Sequence, residues 1–188
     1  MSTQNGIRIF YRDELELQQI HERLKLTPCP HCGRVGALIF NGKSYGYREG
    51  SPLRQARRQH VICNHRKACS PGCGKSQSLF AADTVPGLQA LTKTLWIFAT
   101  LLLTGLRAYP AFRRLETCLN IRAATRWQKK FRLAQARWRV LLCGHRPPPE
   151  SPELSDPLVS SLSLFLSAHS AFADPFFAYQ HHFQRGLL

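Results

Sequence analysis

The chain has 188 residues, enough for one compact domain or two small modules and too few for a large multi-domain enzyme. Its 26 Lys+Arg against 11 Asp+Glu give a formal net charge of +15, which selects a polyanionic partner, nucleic acid or an anionic membrane surface, and disfavours chemistry that needs several carboxylates. With 44% hydrophobic residues the chain is not a disordered basic tail.

The charge is unevenly spread. Residues 34–146 hold 21 Lys+Arg and three acids (Glu49, Asp83 and Glu116), whereas the last 42 residues carry Arg185 against four acids. A polyanion contact is therefore expected between residues 34 and 146. The seven cysteines are an odd number, and the N-terminal MSTQNGIRIFYRDELE lacks an apolar signal-peptide core, so a reducing cytoplasm is expected. Spaced cysteines there bind metal more often than they pair. The longest apolar run, Leu95 to Leu106, is about half a bilayer span and is bracketed by Lys93 and Arg107, so it predicts a buried helix and no membrane role.

In chain order, residues 13–26 read as a short amphipathic helix. Asp13 and Glu16 form a capping-box pattern, and Leu17, Ile20 and Leu24 recur at spacings of three and four. CPHCG (29–33) follows, a C-x-x-C-G knuckle in which two thiolates reach one tetrahedral Zn²⁺ from a single tight turn. Pro28 and Pro30 flank the first cysteine after a polar stretch, unlike a redox C-x-x-C that opens a helix behind a buried strand. Residues 36–40 and 57–62 read as strands, with a turn at Asn41-Gly42. The second ligand pair is enlarged. Cys63 ends a strand and Cys73 precedes a glycine, so the predicted set is Cys29, Cys32, Cys63 and Cys73, with Cys69 the alternate for Cys63. His31 and His65 are weaker candidates. Four protein ligands close the site, which makes the zinc structural and not catalytic, and supplies stability that two or three short strands lack. Seven cations around it, among them Arg57 and Arg58, suit phosphate contact.

Pro86 marks the start of an apolar helix over 87–104, closed by Gly105. A shorter helix is expected over 109–118, a tight turn at Leu119-Asn120, and a long helix over 121–142. In that last helix Ala124, Trp127, Phe131, Ala134, Trp138 and Leu141 form an apolar stripe, with the three aromatics expected to face helix 87–104. A short helix, a tight turn and a basic helix have the layout of a helix-turn-helix. Arg122, Thr125, Arg126 and Lys129 would then meet base edges or flanking phosphates of duplex DNA, and Arg107, Arg113, Arg114 and Lys130 the backbone. RPPPESPELSDP (146–157) reads as a stiff linker, 158–171 as a helix, and 172–188 as an aromatic tail that either folds back or docks on a partner. Cys118, Cys143 and the pair His181 and His182 find no matched catalytic or metal partners in the sequence.

CPHCG (29–33), VIC and GCG (61–63 and 72–74), LWIFATLLLTG (95–105) and AATRWQKKF (123–131), in that order, resemble the N-terminal region of bacterial insertion-sequence transposases. The resemblance implies a zinc ribbon followed by a helix-turn-helix, recognition of duplex DNA, and a transposase or recombinase as protein partner. Those transposases continue into a carboxylate-bearing catalytic domain. Here 46 residues with four acids follow Leu142, so strand-transfer chemistry is not expected.

The expectation is thus a small α+β chain: an arm (1–26), a zinc ribbon (27–84), an all-α helix-turn-helix module (85–145), a linker (146–157) and a partly helical tail (158–188). It is expected to be a non-catalytic accessory or regulatory DNA-binding protein. The alternatives are an RNA-binding or protein-interaction zinc module, or an inactive transposase remnant.

Overall fold

A computed structural model describes residues 9–64, 72–144 and 156–188. It is α+β and divides into two compact units. The first comprises Met1–Arg48 and Pro52–Ala82, the second Glu49–Ser51 and Asp83–Leu188.

Among the described residues the first unit is a four-stranded mixed sheet with one helix. The helix, α1 (Glu14–Leu24), begins where the Asp13 side chain accepts the Glu16 N–H at 2.8 Å, while the Glu16 carboxylate reaches back to the Arg12 N–H. The predicted cap is therefore formed, with the return bond one residue earlier than in the standard box. The strands are β1 (Phe10–Tyr11), β2 (Leu38–Tyr47), β3 (Arg54–Cys63) and β4 (Ser76–Ala81), in the order β1-β4-β3-β2. β3 runs antiparallel to both neighbours, and β1 lies parallel to β4. Leu17, Ile20 and Leu24 bury α1's apolar face against Leu38, Val61 and Leu79, with Cys29 and Cys63 at the end of the same core.

The expected turn at Asn41-Gly42 is instead a bulge inside β2. Gly42 sits at φ +76°, the register jumps between Phe40 and Lys43, and the buried Gln59 amide donates to the Gly42 carbonyl at 2.8 Å. That side-chain bond satisfies the group the bulge frees, so the strand continues and the hairpin reverses only after Tyr47. β1, at two residues, is too short to carry a pattern legible in the sequence, and β4 (SQSLFA) lacks the apolar-polar alternation that marks a strand.

The second unit holds α2 (Thr92–Leu103), α3 (Ala108–Arg113), α4 (Ala123–Cys143), α5 (Pro157–Ala168) and α6 (Pro175–Phe183). α2 starts five residues later than expected, because Pro86 and Gly87 lie in a turn, Gly87 at φ +80°. At its other end Gly105 adopts φ +84°, and the Leu106 N–H donates to the Leu101 carbonyl, closing the helix as its glycine predicts. α3 ends at Arg113 and not at 118. Residues 114–122 form a longer connection in which Asn120 Oδ1 accepts the Arg122 N–H at 2.9 Å and the Asn120 carbonyl accepts the Ala123 N–H at 2.8 Å. The Asn120 side chain competes for helical backbone donors, and so delays the start of α4.

The aromatic stripe of α4 splits between two sets of neighbours. Trp127 and Phe131 face α2 through Phe98, at ring-centroid distances of 5.5 and 6.1 Å. Trp138 does not face α2. It packs on Phe165 of α5 (5.1 Å) and Phe176 of α6 (6.0 Å), and its indole N–H donates to the Leu187 carbonyl at 2.8 Å. The tail thus folds back into the helical core, and its aromatic content is explained by that burial. α5 and α6 both open on an Asp-Pro pair. Asp156 and Asp174 accept backbone N–H groups of their own first turns, and the following proline needs no donor there. No helix among the described residues is long and apolar enough to cross a membrane.

Candidate metal centre and basic surfaces

Two backbone turns build a cluster of four sulfurs. The first follows α1, where the Gly33 N–H donates to the Cys29 carbonyl and the Cys29 N–H to the Arg34 carbonyl. The second lies between β3 and β4, where the Gly74 N–H donates to the Cys63 carbonyl and the Cys63 N–H to the Lys75 carbonyl. Gly33 and Gly74 both sit in the left-handed region, at φ +71° and +72°, so the Cys-Gly endings do the same work in both knuckles. Each turn also aims an amide at a sulfur: the His31 N–H at Cys29 Sγ (3.4 Å) and the Cys73 N–H at Cys63 Sγ (3.3 Å).

The ligand atoms of Cys29, Cys32, Cys63 and Cys73 all lie within 4.8 Å of one another. Cys29 and Cys73 sulfurs are 3.8 Å apart, as are those of Cys32 and Cys63. All four are free thiols. Thiolates about 2.3 Å from a tetrahedral Zn²⁺ stand about 3.8 Å apart, so the spacing fits a single bound ion. Cys29 and Cys63 are buried, and Cys32 and Cys73 are exposed. Burial pushes the Cys63 thiol up to about 12, whereas the Arg34 backbone amide is the main cause that lowers Cys32 to about 7. A cation at the centre would offset the burial cost of the Cys63 thiolate.

His31 is exposed and stands outside this cluster, while Cys69 and His65 lie outside the described residues. Gly72 enters the sequence pattern only as part of the GCG motif, and the structure gives it a distinct task. A Cβ there would stand 2.5 Å from Cys63 Sγ and 2.6 Å from the Asn64 carbonyl oxygen, so the second knuckle closes only around glycine.

The predicted nucleic-acid contacts fall on both units. In the first unit Arg58 is exposed on β3 and Arg57 is half-buried, its aliphatic stem lying over Gly46. In the second, Arg122 at the N-cap of α4 and Thr125, Arg126 and Lys129 in its first two turns are all exposed, opposite buried Ala124, Trp127 and Phe131. Lys130 is half-buried. Arg107, Arg113 and Arg114 are exposed at the two ends of α3. Cys118 and Cys143 are exposed free thiols. No protein-family model, curated protein or solved structure matches the chain.

Proposed function

We propose that the chain is a non-catalytic DNA-binding protein in which a zinc ribbon and a helix-turn-helix recognise duplex DNA, acting as a transposase-like accessory or regulator beside a transposase or recombinase. The observation that carries the reading is the two-sided character of α4. One side is buried and aromatic, while the first turns of the other present Arg122, Arg126 and Lys129 to solvent. From Arg107 to Arg139 ten Lys+Arg meet the single acid Glu116, too little for the charges to neutralise one another. Such a face neutralises phosphates and releases their counterions, and its arginines have the fork geometry that reads guanine edges. The nine-residue connection between α3 and α4 is longer than the usual three or four, so α3 serves as a backbone-contacting brace to a recognition helix set further off.

In this reading the four cysteines hold one Zn²⁺ that fixes the two knuckles, and Arg57 and Arg58 add phosphate contacts. The test is binding to a duplex DNA library and to structured RNA over a series of salt concentrations. A selected duplex should bind more tightly than RNA at every salt. The double variant Arg122→Ala, Arg126→Ala should lower duplex affinity and flatten the log K against log[salt] slope by about two units. Equal affinity for RNA, or an unchanged slope, overturns the reading.

A further inference from the structure

The outer half of the β2–β3 hairpin contributes nothing to the core of its unit. Burial ends at Leu38 in β2 and begins only at Gln59 in β3. Beyond those positions the ladder pairs Tyr45 with Ala56 and Tyr47 with Arg54, so these four side chains share one face of the ribbon. Both rings are open, Tyr45 56% and Tyr47 55% exposed. The methyl of Ala56 is too small to cover the ring opposite it. The Arg54 guanidinium is held beside the rings by donating to the Tyr45 carbonyl at 3.1 Å. β2 is an edge strand, with no strand on its outer side among the described residues.

Charge accompanies the rings. Arg54 shares their face, Lys43 stands two residues before Tyr45, and Arg57 and Arg58 lie on the reverse face beside Gly46 and Ser44. After burial, the neighbouring charges of Arg48 and Arg58 are what depress Arg57, a sign of cations crowded on the ribbon. A long exposed edge with two open aromatics is a liability in a chain with no use for it.

From this juxtaposition we propose that the outer β2–β3 hairpin is a binding site for single-stranded DNA, with bases stacking on Tyr45 and Tyr47 and phosphates held by Arg54. Side chains two apart on one strand face stand about 7 Å from each other, room for one base between two rings or one base on each. Paired bases inside a duplex hide their faces from such rings, whereas unpaired bases offer them whatever their sequence. The site rests on the DNA-binding reading above and deepens it: the same chain would hold unpaired as well as paired DNA.

The experiment uses the full chain with three probes: a blunt duplex, the same duplex with a ten-nucleotide single-stranded extension, and the extension alone. The extension should tighten duplex binding about tenfold. Tyr45→Ala with Tyr47→Ala should remove that gain while leaving blunt-duplex affinity unchanged, and Tyr45→Phe with Tyr47→Phe should retain it, since the ring face and not the hydroxyl stacks. Circular dichroism and metal content of each variant establish that the ribbon is still folded. No gain from the extension, or a gain that survives in the double alanine variant, overturns the proposal. If the extension alone binds through the tyrosines while the blunt duplex does not bind, the hairpin site stands and the duplex reading fails.

Discussion

Asp174 is the residue where burial and capping oppose each other. Its Oδ1 accepts the N–H groups of Phe176 and Phe177, and its Oδ2 accepts the Thr92 hydroxyl at 2.6 Å, which ties α6 to α2. Burial raises its pKa above the ordinary 3.8, outweighing the three hydrogen bonds that lower it. A carboxyl whose folded pKa is raised takes up protons on folding. Its contribution is therefore fully present below pH 3.8 and is lost as pH rises through the folded value. Asparagine keeps the cap and removes the buried charge. Asp174→Asn should thus melt at or slightly above the wild-type temperature at pH 7, with the difference closing as pH falls toward about 4. Asp174→Ala should lose about 2 kcal/mol through the orphaned first-turn amides and the Thr92 hydroxyl. Thermal melts of the three proteins across that pH range check both the sign and the order.

At the scale of elements, α4 is two helices in one. Its first half packs on α2 and α3 through Trp127 and Phe131, and its second half carries Trp138 into the rings of α5 and α6. Trp138→Phe keeps most of the ring contact but loses the N–H donated to the Leu187 carbonyl, which Arg137 still contacts at 2.9 Å, so about 1 kcal/mol should be lost. Trp138→Ala empties a fully buried site and should cost about 4 kcal/mol in denaturant unfolding. Equal costs would mean that the ring contributes nothing beyond its hydrogen bond. The same helix shows what is legible in sequence. Its stripe of apolar residues identifies the buried face from Ala124 to Trp138, because a 3.6-residue period survives any choice of neighbour, and misses only at the end, where Leu142 and not Leu141 is buried. It does not identify which neighbour, because aromatic residues of α2, α5 and α6 all offer matching surface. The cysteine knuckles are legible for a different reason, since chelation restricts spacing so tightly that C-x-x-C-G has few other uses. Asn41-Gly42 misleads because a turn dipeptide cannot show that Gln59, far along the next strand, will satisfy its carbonyl. The tyrosine pair is silent in sequence because alternating exposed residues on a strand look like any solvated face until the ladder shows what lies opposite.

At the scale of the molecule, the two units rest on different physics. The first buries a small cluster under α1 and ends it at Cys29 and Cys63, so its core is continuous with the four-cysteine cluster. A four-stranded sheet of this size buries too little apolar surface to be stable alone, and the ligation energy of a metal held by the four cysteines would be folding energy. The second unit buries a large aromatic core that contains no cysteine, and all three tryptophans, Trp96, Trp127 and Trp138, lie within it. A chelator therefore acts on one core and leaves the other as an internal reference. Removing the metal should abolish hydrogen-exchange protection over β2 and β3 and weaken strand circular dichroism. Tryptophan emission should stay at the short wavelength of buried indoles, and readdition of one equivalent of Zn²⁺ should restore the sheet. Cys29→Ser should reproduce the chelated state without a chelator. A red shift of tryptophan emission in step with loss of the strand signal would show instead that the helical core depends on the metal as well. Intact protection over β2 and β3 after complete metal removal would show that the four thiols hold their turns through the backbone hydrogen bonds of Gly33 and Gly74 alone.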